Sequence, residues 1–170
     1  MKGDALAKKI LIVALLLVMA FGGWLTYYFS DKEVIKRQLA GIAMALGKEG
    51  QETPIQMALK MREIKNMLAK SCLVTIPERE FTEAMEQDLI IHYLIYHRNR
   101  YSLLTVAFED MNIDIPAKGQ AAVQSTVRLR LQDTPQAESV EESHQVEFSL
   151  AKGDKKWLFH TVTMPEAMVK

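Results

Sequence analysis

The 170 residues carry 21 basic and 21 acidic side chains, a formal net charge of zero with histidines neutral, and one cysteine. So balanced a chain lacks the basic surface that nucleic-acid phosphates require and offers no polybasic patch to anionic lipid. A single cysteine, Cys72, excludes an intrachain disulfide and any cysteine-based metal cluster.

An uncharged apolar run of 20 residues starts at Ile10 and ends at Phe29. As a helix it would be about 30 Å long, the thickness of a bilayer's hydrocarbon core. It predicts a transmembrane helix within residues 1–30 and one folded domain over residues 31–170. Lys2, Lys8 and Lys9 precede the run against Asp4 alone, which keeps the N-terminus in the cytoplasm, the segment in the inner membrane and the domain outside. Trp24, Tyr27 and Tyr28 stand where an interfacial aromatic belt belongs. The alternative is a cleavable signal peptide with Ala20-Phe21-Gly22 as its small-x-small site, which would leave the domain secreted or periplasmic.

Over residues 31–48, Val34, Ile35, Leu39, Ile42, Ala43 and Leu46 recur at three and four and predict a helix. Gly47 and Gly50 end it, and Thr53-Pro54 starts a second helix with Thr as cap and Pro at its first position. The stripe of that helix is Met57, Met61, Ile64 and Leu68. Thr75-Ile76-Pro77-Glu78 fits a capping box and predicts a third, longer helix reaching Arg100. On that helix Phe81, Met85, Asp88, His92 and Tyr96 share one side, while His97 falls on the exposed side.

From Leu103 the hydrophobic period becomes two, giving four antiparallel strands. Leu104, Val106 and Phe108 face one way and Met111, Ile113 and Ile115 continue on the other parity, which predicts a bulge near Glu109-Asp110. Val123, Val127, Leu129 and Leu131 face the core on the next strand. Val140, His144, Val146, Phe148 and Leu150 do so on the third, with Glu142 on the same parity. Gly153-Asp154 predicts a two-residue turn that sets Leu150 against Trp157, Phe148 against Phe159 and, on the outer face, Glu147 against His160.

Three segments, LTVAFEDMNIDI (104–115), AAVQSTVRLRL (121–131) and VEFSLAKGDKKWLFHTV (146–162), together with the helices before them, resemble the NTF2-like superfamily. The resemblance covers residues 31–165 and implies an α+β fold in which three helices pack on a bent four-stranded antiparallel sheet shaped as a cone. The anchored layout also resembles the scaffold component of type IV secretion systems and the membrane proteins associated with lipid-transfer Mce complexes. NTF2-like enzymes such as ketosteroid isomerases carry an Asp or His base and a Tyr or second acid inside the cone. This makes Asp88, His92, Tyr96 and His144 the candidates, in a pocket lined by Phe81, Met85, Val127, Phe148, Trp157 and Phe159.

No catalytic motif is matched residue by residue, and Asp88 with His92 also fits an ordinary i, i+4 pair. His92 and His144 would need a third metal ligand, so neither metal nor cofactor is expected. Gln124, Thr126, Arg128, Arg130 and Glu147 make the outer sheet face polar, which argues against a large sheet-to-sheet homodimer. The reading that follows is a membrane-tethered, non-catalytic module that binds a protein partner or a small apolar ligand. Its alternative is a cone-pocket enzyme of ketosteroid-isomerase or dehydratase type using Asp88, His92 and Tyr96.

Overall fold

The computed structural model describes Val13 and residues 15–19, 22–23, 30–154 and 156–169. The chain divides into two compact units, residues 1–35 and residues 36–170. The expected membrane segment lies largely outside the described residues; those described within it are helical. Among the described residues no helix is long and apolar enough to cross a membrane.

Helix α1 (Asp31–Leu46) ends as expected before Gly47, with Leu39, Ile42 and Ala45 buried. Strand β1 (Lys48–Glu49) follows, then helix α2 (Pro54–Lys65). Thr53 caps α2 and Gln56 completes a capping box, the two side chains each accepting from the other's backbone amide.

The next stretch departs from the expected long helix. Residues 68–86 form a hairpin, β2 (Leu68–Ile76) and β3 (Phe81–Glu86), joined by a 3-10 turn at Pro77–Arg79. Pro77 fits the first position of that turn, and Glu80, at φ 51°, reverses the chain so that Ile76 pairs with Phe81. Thr75, read as a helix cap, is a strand residue opposite Thr82. Helix α3 is consequently short (Gln87–Asn99).

The sheet has seven strands, not four, in the order β1-β4-β5-β6-β7-β2-β3. It is mixed because β2 runs parallel to β7 (Trp157–Thr163). β4 (Leu103–Ala117), β5 (Gln120–Gln132) and β6 (Val140–Lys152) form the antiparallel centre. The bulge lies where the parity slip put it: Asp110 is at φ 49°, and pairing moves from Glu109↔Thr126 to Asn112↔Gln124. Ser125, 1% exposed, donates its hydroxyl to the Glu109 carbonyl at 2.8 Å, satisfying an acceptor that the broken ladder leaves over.

The β6–β7 register differs from the expected one. Lys152 pairs with Trp157 and Leu150 with Phe159, while Gly153 donates its amide to the Lys156 carbonyl, so the connection is longer than a two-residue turn. Lys152 Nζ stands 5.6 Å from the centre of the buried Trp157 ring, a cation–π contact that rewards this register. A shift between Leu150 and Ser149 leaves His160 as the extra residue. Glu147 accordingly pairs with Thr163 rather than His160, and its carboxylate accepts from Gln124. Gln38 of α1 holds the start of β7 by donating to the Trp157 carbonyl at 2.6 Å and accepting from its amide at 3.2 Å.

A polar cluster lies at the C-terminal end of α1, where carbonyls have no partner within the helix. Arg98 of α3, 2% exposed, donates to the carbonyls of Leu46 (3.0 Å) and Gly47 (2.8 Å). Lys60 of α2 adds a second donor to Gly47 at 2.9 Å. Glu52 binds both cations, each at 2.6 Å. Burial pushes the Glu52 pKa up, but hydrogen bonds and charge from Lys60 and Arg98 outweigh it and hold the carboxyl below its ordinary 4.5.

Arg98→Met leaves the Leu46 carbonyl without its donor and Glu52 and Gly47 with Lys60 alone, and should cost about 3 kcal/mol in urea unfolding. Because the folded pKa of Glu52 lies below the unfolded one, its contribution is complete above about pH 4.5 and is lost as pH falls through the folded value. Glu52→Gln lacks that part, so its stability, though lower at pH 7, should fall less steeply on acidification. Cys72 is 0% exposed, and burial pushes its thiol up to about 11. Iodoacetamide at pH 8 should leave Cys72 unmodified in the folded protein and alkylate it in urea.

Candidate functional site

Helix α3 sets the site. Its inward stripe is Ile90, Leu94 and His97, with Arg98 beside it. On its flank Ile91, Leu94 and Ile95 pack against the buried cluster of Ala45, Met61 and Ile64. That packing stands the helix over the concave face of the sheet and leaves a cavity of about 380 Å³ between them.

The walls are apolar almost throughout. The β4–β5 pair contributes Leu104, Val106, Phe108, Val127, Leu129 and Leu131, which alternate inward in both strands. β6 and β7 add Val146, Phe148, Phe159 and Val162. Phe148 makes edge-to-face contacts with Phe108 (5.9 Å) and Phe159 (5.3 Å), giving the cavity an aromatic wall. Met164, Ala167 and Met168 close one side. Their segment is tied down by the Arg79–Glu166 ion pair and by the Glu166 amide donating to Glu78.

Few polar groups line the cavity. Glu142 of β6 lines the cavity opposite Leu129, and His144, opposite Val127, stands behind it with Nε2 3.0 Å from Glu142 Oε2. His97, Arg98 and Tyr101 line the same cavity. The Arg98 guanidinium is committed to Glu52 and the α1 carbonyls. Two other hollows, of about 550 and 520 Å³, flank Glu52 and are lined by a mixture of charged, polar and apolar groups around that clamp region. The smaller apolar cavity is the better ligand site, since binding pockets are mostly apolar with a few convergent polar groups.

The residues singled out in the sequence divide between this cavity and other places. Val127, Phe148 and Phe159 line it, and His144 is paired with Glu142 on its lining. Asp88, His92 and Tyr96 do not line it: all three are exposed on the far side of α3, and Asp88 is ion-paired to Lys65 of α2, not to His92. Phe81 and Met85 lie on edge strand β3, and Trp157 is buried outside the cavity wall. The displacement has one cause. A helix counted from residue 78 places its apolar stripe through 81 and 85, whereas the true helix starts at Gln87 and buries a stripe through Leu94 and Arg98.

Glu142 was visible in the sequence through its parity with His144, and His97 through its spacing from Ile90 and Leu94. The outer sheet face is polar, with Arg128–Glu109 (2.9 Å), Gln124–Glu147 (3.0 Å) and Gln145–Thr126 (2.8 Å) pairs. Among the described residues no group of three or more His, Cys, Asp or Glu side chains is placed to hold a metal ion.

No protein-family model matches the sequence, and no curated protein matches it. Solved structures do match in fold. A candidate scytalone dehydratase from Novosphingobium aromaticivorans is 16% identical with a TM-score of 0.63, covering 79% of this chain and 82% of its own. An NTF2-like protein from Cytophaga hutchinsonii is 12% identical with a TM-score of 0.59, over 81% and 98%. A protein with a cystatin-like fold from Nostoc punctiforme is 11% identical, also at 0.59, over 79% and 90%. At such identities the likeness is one of fold: α+β and NTF2-like, with a mixed seven-stranded sheet and three helices in the domain.

Proposed function

We propose that the domain is a binding module that takes a small, mostly apolar molecule into the cavity between α3 and the sheet, and that residues 10–29 hold it at the outer side of the inner membrane. The observation that carries the binding reading is the cavity itself, about 380 Å³ with walls that are apolar but for a few polar groups. The tether rests on the 20-residue uncharged run and on the lysines before it. A domain held at a membrane beside such a cavity is suited to collecting hydrophobic compounds, or to working within an envelope assembly.

Val106 lines the cavity, so Val106→Trp should fill it. Ligand-observed NMR should detect a naphthalene-sized probe on the unaltered protein, and the variant should lose that signal while keeping its circular dichroism spectrum. Binding that survives the variant unchanged would place the probe elsewhere. A reporter fused after Lys170 should be active outside the cytoplasm and sediment with membranes; activity in the cytoplasm would refute the tether.

A second reading, a proton-transfer or dehydration enzyme, is favoured by the Glu142–His144 pair at 3.0 Å and by the fold likeness to a candidate dehydratase. In it Glu142 would take a proton from a bound substrate, with His144 orienting the carboxylate. Asp88, His92 and Tyr96 have no part in this reading. Glu142→Gln would then abolish turnover of any substrate found and leave its binding intact.

A further inference from the structure

We infer that the ligand is a hydrophobic amine, bound as a cation by Glu142 with its apolar body against the aromatic wall. The inference rests on the binding reading above and names the chemical class that the cavity selects. Four groups of formal charge or titrating character line the cavity: the charged Glu142 and Arg98, and His97 and Tyr101. The charge of Arg98 is matched by Glu52 at 2.6 Å, and its donors are spent on the carbonyls of Leu46 and Gly47. With histidines counted as neutral, Glu142 is the unmatched charge on the lining.

Its second oxygen is accessible: His144 engages Oε2, the side chain is 39% exposed, and Oε1 stands open to solvent and to a ligand. An acceptor oxygen in an apolar cavity gains most from a charged donor, because such a bond is shorter and stronger than one to a neutral hydroxyl. A carboxylate ligand would meet like charge there. Phe108, Phe148 and Phe159, stacked edge to face along the wall, offer apolar surface to the hydrophobic body of the ligand. A neutral sterol-like or fatty ligand would fill the apolar part without matching the charge of Glu142.

The test uses three probes of one shape: 1-naphthylmethylamine, 1-naphthylmethanol and 1-naphthoate. Each is titrated calorimetrically at pH 8 into the full chain held in phosphatidylcholine nanodiscs, with empty nanodiscs as the blank. At that pH an ordinary histidine is neutral and the amine is largely protonated. The amine should bind about tenfold more tightly than the alcohol, since a charged hydrogen bond to a partly exposed carboxylate is worth roughly one decade. The naphthoate should bind weakest. In Glu142→Gln the amine should lose that advantage while the alcohol keeps its affinity.

An alcohol that binds as tightly as the amine, or a naphthoate that binds best, overturns the inference and leaves the binding reading standing. No binding of any probe defeats the binding reading itself. The series on the unaltered protein decides between amine and alcohol even where the variant fails to fold.

Discussion

Arg98 is the constraint on which the domain depends. It is a full charge 2% exposed, on a helix whose other inward residues are Ile90, Leu94 and His97. It is tolerable there because Glu52 matches its charge and two carbonyls at the end of α1 accept hydrogen bonds from its N–H groups. Lys60 joins through Glu52 and Gly47, so α1, the segment before α2, α2 and α3 are fixed to one another at a single point. The rotation of α3 is set there. With Arg98 turned to α1, Leu94 and Ile90 must face the sheet, and Asp88, His92 and Tyr96 must face away.

How far the sequence could be read follows from the kind of interaction that decides each element. The alternation in β4 and β5 is strong, and one parity slip was enough to place the Asp110 bulge, because a strand with one buried face tolerates no other register. Thr53-Pro54 likewise marked the start of α2 through local chemistry alone. Residues 68–86 were misread because their structure is settled by distant partners. Ala84, Met85 and Glu86 are good helix formers, and Leu68 continues the spacing of Met61 and Ile64, yet β2 is held by parallel pairing to β7 across some 90 residues of sequence. The β6–β7 register was missed for a related reason: the Lys152–Trp157 contact and the Gln38 side chain outweigh the preference of Gly153-Asp154 for a tight turn.

The candidate site shows the same division. Of the residues placed by strand parity, Val127, Phe148, Phe159 and His144 are at or beside the cavity, and Trp157 is buried outside its wall. Those placed by helix phase are not, since an error of nine residues in the start of α3 moves the whole stripe. What the structure adds is convergence: Glu142, read as a strand residue with the right parity, becomes the acid of an apolar cavity once Leu129 and His144 are beside it. The hydrophobic run at residues 10–29 remains the feature that bears on location, while the cavity bears on what is bound.

The most direct test of this account asks where a ligand contacts the folded domain. Methyl-labelled NMR of the full chain, titrated with 1-naphthylmethylamine, should shift the methyl signals of Leu94, Val127, Val146 and Met168, which line the cavity. The exposed methyls of Ile55, Leu59 and Leu89 on the outer helix surfaces should stay in place. Shifts confined to that outer set, with the cavity methyls unmoved, would contradict the account.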